Sequence, residues 1–153
     1  MTTPAWAPVL EDVAAYVTSR TVDAVTPGSD TPIGTFTADT YPTDTQVLRL
    51  VGTATAWVVN VTGDVVPDLE ETATDVAAMR AAALIELSYP DRDGDIDEVA
   101  TVLLEQARAG RDELAAANRA GGGAGPNGTA TPLGAFPVAA PWCNDQPAWY
   151  GRW

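Results

Sequence analysis

The residue types that could do chemistry are few, and their spacing argues against most reactions. The chain has no histidine, so the usual general base and the commonest metal ligand are both missing. Its single cysteine, Cys143, lies between Trp142 and Asn144 with no histidine to activate it, and can form no internal disulfide. The run Pro90-Asp91-Arg92-Asp93-Gly94-Asp95-Ile96-Asp97-Glu98 alternates aspartates like a calcium loop. Counted from Asp91, however, glycine is fourth, Ile96 sixth and Val102 twelfth, where an EF-hand needs glycine sixth and glutamate twelfth. We read that run as a turn leading into a helix start. The pairs Glu70/Glu71 and Asp97/Glu98 fall where helices begin, the ordinary place for carboxylates that complement the helix dipole. Neither a G-x-S-x-G elbow nor a phosphate-binding G-x-x-x-x-G-K-[ST] loop occurs. The expectation is a binding or structural protein and not an enzyme, with no cofactor and no metal.

Charge narrows the classes further. Among 153 residues there are eight arginines, no lysine and 21 acidic side chains, a formal net charge of −13. Nucleic-acid binding without sequence preference needs cations to neutralise phosphates, so this chain could stand beside DNA without gripping it. The start MTTPAWAPVL lacks a basic segment and a long apolar run, which argues against a signal peptide. No stretch approaches the ~18 apolar residues of a membrane span, so no membrane partner is expected. The sequons at Asn60 and Asn127 are read as chance matches.

The elements are organised around residues 68–89, DLEETATDVAAMRAAALIELSY. Between Val76 and Leu87 only Arg80 and Glu86 interrupt small or apolar side chains, the pattern of a helix buried by neighbours on every side. Asp68 and Glu71 have capping-box spacing, and Pro90 closes the segment. A first helix is expected over about 9–19, with Leu10, Val13, Ala14 and Val17 inward and Glu11, Asp12 and Arg20 outward. Trp6 precedes it as a staple against that helix, with contact to a neighbouring subunit as the alternative. A second helix starts near Thr43, where Gln46 completes a capping box. Its stripe is Val47, Leu50, Val51, Ala54 and Val58, with Trp57 assigned to the core and Gly52 to a close helix contact. A fourth helix spans about 96–119, with Ile96, Val99, Leu103, Ala107 and Leu114 as its apolar face, widened by Val102 and Leu104. Gly110 is a place for a kink or a split. The fold class is therefore all-α: a small four-helix domain over residues 1–120.

Two segments stand outside that domain plan. Residues 21–43 form a long connection between the first two helices, and loops beyond ~12–15 residues are uncommon unless functional or disordered. Pro27-Gly28-Ser29-Asp30 reads as a turn between Val25 and Ile33, and Val25, Pro27, Ile33, Phe36 and Tyr41 are candidates for a subunit or tail-side contact. Residues 121–153 open on GGGAGPNG, a flexible linker, and continue as an extended arm rich in proline. Phe136, Trp142, Trp149, Tyr150 and Trp153 crowd its last part. Disordered tails are usually poor in aromatics, so docking into grooves on a partner is expected, with folding back on the domain as the alternative.

The order of elements resembles the head-to-tail connector (adaptor) proteins of tailed double-stranded DNA bacteriophages. The resemblance rests on Val9-Leu10-Glu11-Asp12-Val13 leading to Ser19-Arg20-Thr21, on Gly34-Thr35-Phe36-Thr37 running into Pro42-Thr43, and on 79–89, MRAAALIELSY. It covers roughly residues 9–119 and leaves the arm outside. It implies a structural virion protein at the neck, built in the host cytoplasm, forming a homo-oligomeric, twelve-membered ring. Such a ring would bind the portal protein on one side and a head-closure or tail protein on the other, with double-stranded DNA passing through. The aromatic arm is then the expected portal contact. The alternatives are another neck component, such as a head-closure or tail-completion protein, or a small acidic regulator of one basic partner.

Overall fold

The computed structural model describes residues 3–26, 28–89 and 98–125. Those residues form four α-helices in the order α1 (Leu10–Ala14), α2 (Asp44–Thr62), α3 (Glu70–Ser88) and α4 (Glu98–Ala120). Two 3₁₀ turns, Thr18–Thr21 and Pro67–Leu69, precede the long loop and α3. No strand occurs among the described residues, only two isolated antiparallel bridges in the loop. The protein is a small all-α domain.

Helix α3 is the centre, as its composition requires. It packs most extensively on α4, then on α2 and α1. Ala73, Ala77, Ala78, Ala81, Ala82 and Ala83 are all fully enclosed. Short side chains let neighbouring helices approach closely, and α4 supplies a matching stripe of Ala100, Leu103, Ala107, Gly110 and Leu114. A Cβ added at Gly110 would stand 2.9 Å from Val76 Cγ2, so this glycine admits α3 and does not split α4, which runs unbroken. Two apolar clusters fill the interior. One joins Val13 and Val17 to Phe36, Val47, Val51 and Ile85; the other joins Trp6 to Val58, Val76 and Leu114.

Helix α2 begins as its sequence specifies. The Gln46 Oε1 accepts the Thr43 N–H at 2.9 Å, and Val47, Val51, Ala54 and Val58 are buried. Gly63 ends the helix at φ +68°, a left-handed conformation that side chains resist.

Several expectations are corrected. The first α-helix is only five residues long, followed by a tighter 3₁₀ turn. The β-branched Val17, Thr18 and Thr21 disfavour continuation, and the Thr18 hydroxyl donates to Ala14 O at 3.2 Å in competition with the backbone. Arg20 does not point outward. It turns in to meet Glu86 of α3. Asp68 does not cap α3, because Pro67 opens a 3₁₀ turn in which Leu69 N–H donates to Val66 O at 2.9 Å and Asp68 stays exposed. Trp6 packs between α2, α3 and α4 and not as a staple on α1; its carbonyl accepts the Thr74 hydroxyl at 2.7 Å. Gly52 allows no close helix contact: a Cβ added there would meet nothing within 4 Å. On α4, Val99 and Val102 face outward, because the buried stripe lies one residue round the helix, through Ala100, Leu103 and Ala107.

Candidate functional site

The long loop is built as a fixed platform. Thr21 is buried, its hydroxyl donating to Thr18 O at 2.7 Å and accepting from Gly34 N–H at 3.2 Å, while Ile33 N–H donates to Thr21 O at 3.0 Å. Bridges pair Val22 with Pro32 and Asp23 with Thr40. The Thr40 hydroxyl donates to Pro42 O at 2.7 Å, across the cis Tyr41–Pro42 peptide. The Asp23 carboxylate closes the outer turn. It accepts the Val25 N–H at 2.8 Å, the Thr26 N–H at 3.1 Å and the Thr26 hydroxyl at 2.6 Å. The hydroxyl, then the two amides, hold its pKa below the ordinary carboxylate value.

That platform leaves three of the five proposed contact residues in solvent. Val25 is 67%, Tyr41 61% and Ile33 48% exposed. Phe36 is corrected: at 2% exposure it belongs to the core, packed with Val13, Val47 and Ile85, and it pins the loop to the helices. Pro27 lies outside the described residues. The Tyr41 ring meets Tyr89 at the end of α3 edge-on, centroids 5.2 Å apart, so its exposed face is held in place.

A second feature was not anticipated. Trp57, assigned to the core from its spacing, is half-buried against the cluster of Val58, Val76 and Leu114, and its ring also meets two guanidiniums, Arg80 at 5.0 Å and Arg111 at 4.3 Å from the ring centroid. Arg108 lies close enough to add to their field. Burial first, then Arg108 and Arg111, depress the Arg80 pKa. Arg111 pairs with its neighbour Asp112 at 2.7 Å; Arg80 and Arg108 have no carboxylate partner among the described residues. The interruption of the apolar run by Arg80 was the available signal, but only the fold reveals that α2 and α4 bring an indole and two more arginines to it.

At the far end, Asn118 of α4 clamps the α2–α3 connection. Its Nδ2 donates to Thr62 O at 3.0 Å and Asp64 O at 2.9 Å, while Oδ1 accepts the Val66 N–H at 2.9 Å. The glycine run continues this packing: Gly123 is buried against Asn118, and Ala124 and Gly125 sit on Gly63. Residues 121–125 therefore belong structurally with the helices. The arm residues Phe136, Trp142, Trp149, Tyr150 and Trp153 lie outside the described residues, as does the aspartate-rich run 90–97. Among the described residues no three His, Cys, Asp or Glu side chains are grouped to hold a metal ion, and no helix is long and apolar enough to cross a membrane. No family model, curated protein or solved structure matches this chain.

Proposed function

We propose that this chain is a structural virion protein of a tailed phage, a head-to-tail adaptor. It forms a ring between the portal and the head-closure or tail proteins and continues the channel for double-stranded DNA. The observation that carries this reading is the loop platform. Val25, Ile33 and Tyr41 are exposed apolar side chains on a loop whose base is fixed by Phe36, Thr21 and Thr40. A loop that holds apolar groups in water at fixed positions is a contact surface paid for in advance, since little order remains to be imposed on binding. The net charge of −13 and the lack of lysine suit a channel wall along which DNA slides. The resemblance of residues 9–119 to connector proteins agrees with both features.

In this reading the loop meets a neighbouring subunit or the tail-side protein, and the aromatic arm, Phe136 to Trp153, meets the portal. A single arm binds weakly because ordering it opposes the burial of its rings, whereas many arms on one ring gain by effective concentration. The test is co-sedimentation with the portal of three chains: intact, cut after Gly125, and carrying Val25→Asp with Ile33→Asp. Loss of portal binding on cutting, and loss of ring formation with the loop variant, are the expected results. Portal binding and rings unchanged in both would overturn the assignment.

A further inference from the structure

The described chain ends at the mouth of a groove. Ala124 and Gly125 lie against Gly63 at the end of α2, so closely that a Cβ added at Gly63 would collide with both backbones. From there the groove runs back along α2. Gly52, Thr55, Ala56 and Val59 are three and four residues apart and share one face of the helix, with Gly63 four residues further on. Pro4 forms the opposite wall. Two adjoining cavities make up the groove, about 280 Å³ beside Gly63 and about 210 Å³ beside Thr55, and Pro4 and Val59 line both.

The inner cavity suits an aromatic ring with one polar edge. An apolar cavity of about 150 Å³ holds a benzene ring. The residues lining this larger one carry no charge. Its wall includes one unmet polar group: the Thr55 hydroxyl is buried and has no hydrogen-bond partner among the described residues. A buried hydroxyl left unpaired is destabilising, and a ring that brings an N–H relieves it. Phenylalanine has no such donor, whereas tryptophan donates through its indole N–H.

The arm contains a segment of matching chemistry. Residues 120–144 carry no charged side chain, in a chain of net charge −13, and Asp145 and Arg152 follow them. Trp142 is the one tryptophan within that neutral run. Pro132, Pro137 and Pro141 have no N–H and favour an extended backbone, so the run can lie along a helix with few donors left unpaired. Reach is ample. Ala56 lies ~10 Å along the helix axis from Gly63, and residues 126–142 extend up to ~56 Å.

We propose that, in the chain free of any partner, residues 126–142 fold back along their own α2 and seat the Trp142 ring in this groove, against Ala56 and Val59, with the indole N–H donating to the Thr55 hydroxyl. The docking needs neither ring nor portal, and a portal that takes up the arm competes with it. Tethering at Gly125 favours the chain's own groove over a neighbour's, because the linked segment is held at a high effective concentration.

The experiment uses Cys143, the only thiol and the residue next to the anchor, as reporter. The rate of its alkylation by iodoacetamide is measured in the full chain as wild type, Ala56→Arg and Trp142→Ala, against a peptide of residues 138–147. Ala56 is exposed, so arginine there fills the groove without entering the core, and circular dichroism checks that each variant is folded. Cys143 is expected to react on the order of tenfold more slowly in the wild type than in the peptide, and near the peptide rate in both variants. Protection unchanged on dilution supports docking within one chain, whereas protection that vanishes on dilution would place the arm on a neighbour and overturn it. A wild-type rate equal to the peptide's would also overturn the proposal. Protection lost in Trp142→Ala but kept in Ala56→Arg would put the ring elsewhere and overturn the groove.

Discussion

Arg20 and Glu86 form an enclosed ion pair between residues 66 positions apart in the chain. The Arg20 Nε donates to both Glu86 carboxylate oxygens, at 3.1 and 3.0 Å, and Nη2 donates to Oε2. Side-chain exposures of 11% and 5% leave little water to replace a lost partner. The pair ties the 3₁₀ turn at the root of the loop to α3, so the loop platform and the central helix are positioned together. Removing the Arg20 guanidinium leaves the Glu86 carboxylate buried and uncompensated, which typically costs about 3–5 kcal/mol, whereas an apolar pair of similar volume is often neutral. Arg20→Met is therefore expected to lower stability by that amount in urea unfolding, and Arg20→Met with Glu86→Leu to recover most of it.

The two interior glycines should respond oppositely. A Cβ at Gly52 would meet nothing within 4 Å, so Gly52→Ala should stabilise α2 by about 0.5–1 kcal/mol. Gly110→Ala puts a methyl 2.9 Å from the stiff Val76 side chain and should cost about 1–3 kcal/mol, shrinking when Val76→Ala is added. Chemical denaturation of the four chains decides both.

Asn118→Ala removes an amide that satisfies Thr62 O, Asp64 O and Val66 N–H together. Loss of about 2–4 kcal/mol is expected, since those backbone groups are left without a partner. Hydrogen exchange at Val66 should rise more than at residues in the centre of α3.

Tyr16 gives a pH signature. Its raised pKa means that the folded state keeps the phenol proton at pH values where the unfolded chain has lost it. The stability this contributes is complete below about pH 10 and is lost as pH rises through the folded pKa. Asp75→Asn should move the Tyr16 titration back toward 10.0, as followed by tyrosinate absorbance.

Much of the fold was legible because pattern and propensity agreed. The alanine-rich run of α3 and the α2 stripe with its Thr43–Gln46 start follow from spacing alone. What was misread depends on partners distant in sequence. Arg20 reads as a surface residue until Glu86 is seen opposite it. Phe36 reads as a contact residue in a polar loop, yet it is the anchor that makes the loop rigid. Trp57 does pack against the core cluster, as its spacing implies, but the arginines that two other helices set against its ring are not legible from that spacing. Asp68 loses its capping role to the proline before it.

The central claim is assembly, and electron microscopy of the purified full chain, alone and mixed with its portal, tests it most directly. Closed rings of uniform size that stack on the portal are the expected result. Monodisperse single chains that remain apart from the portal at every concentration would contradict it.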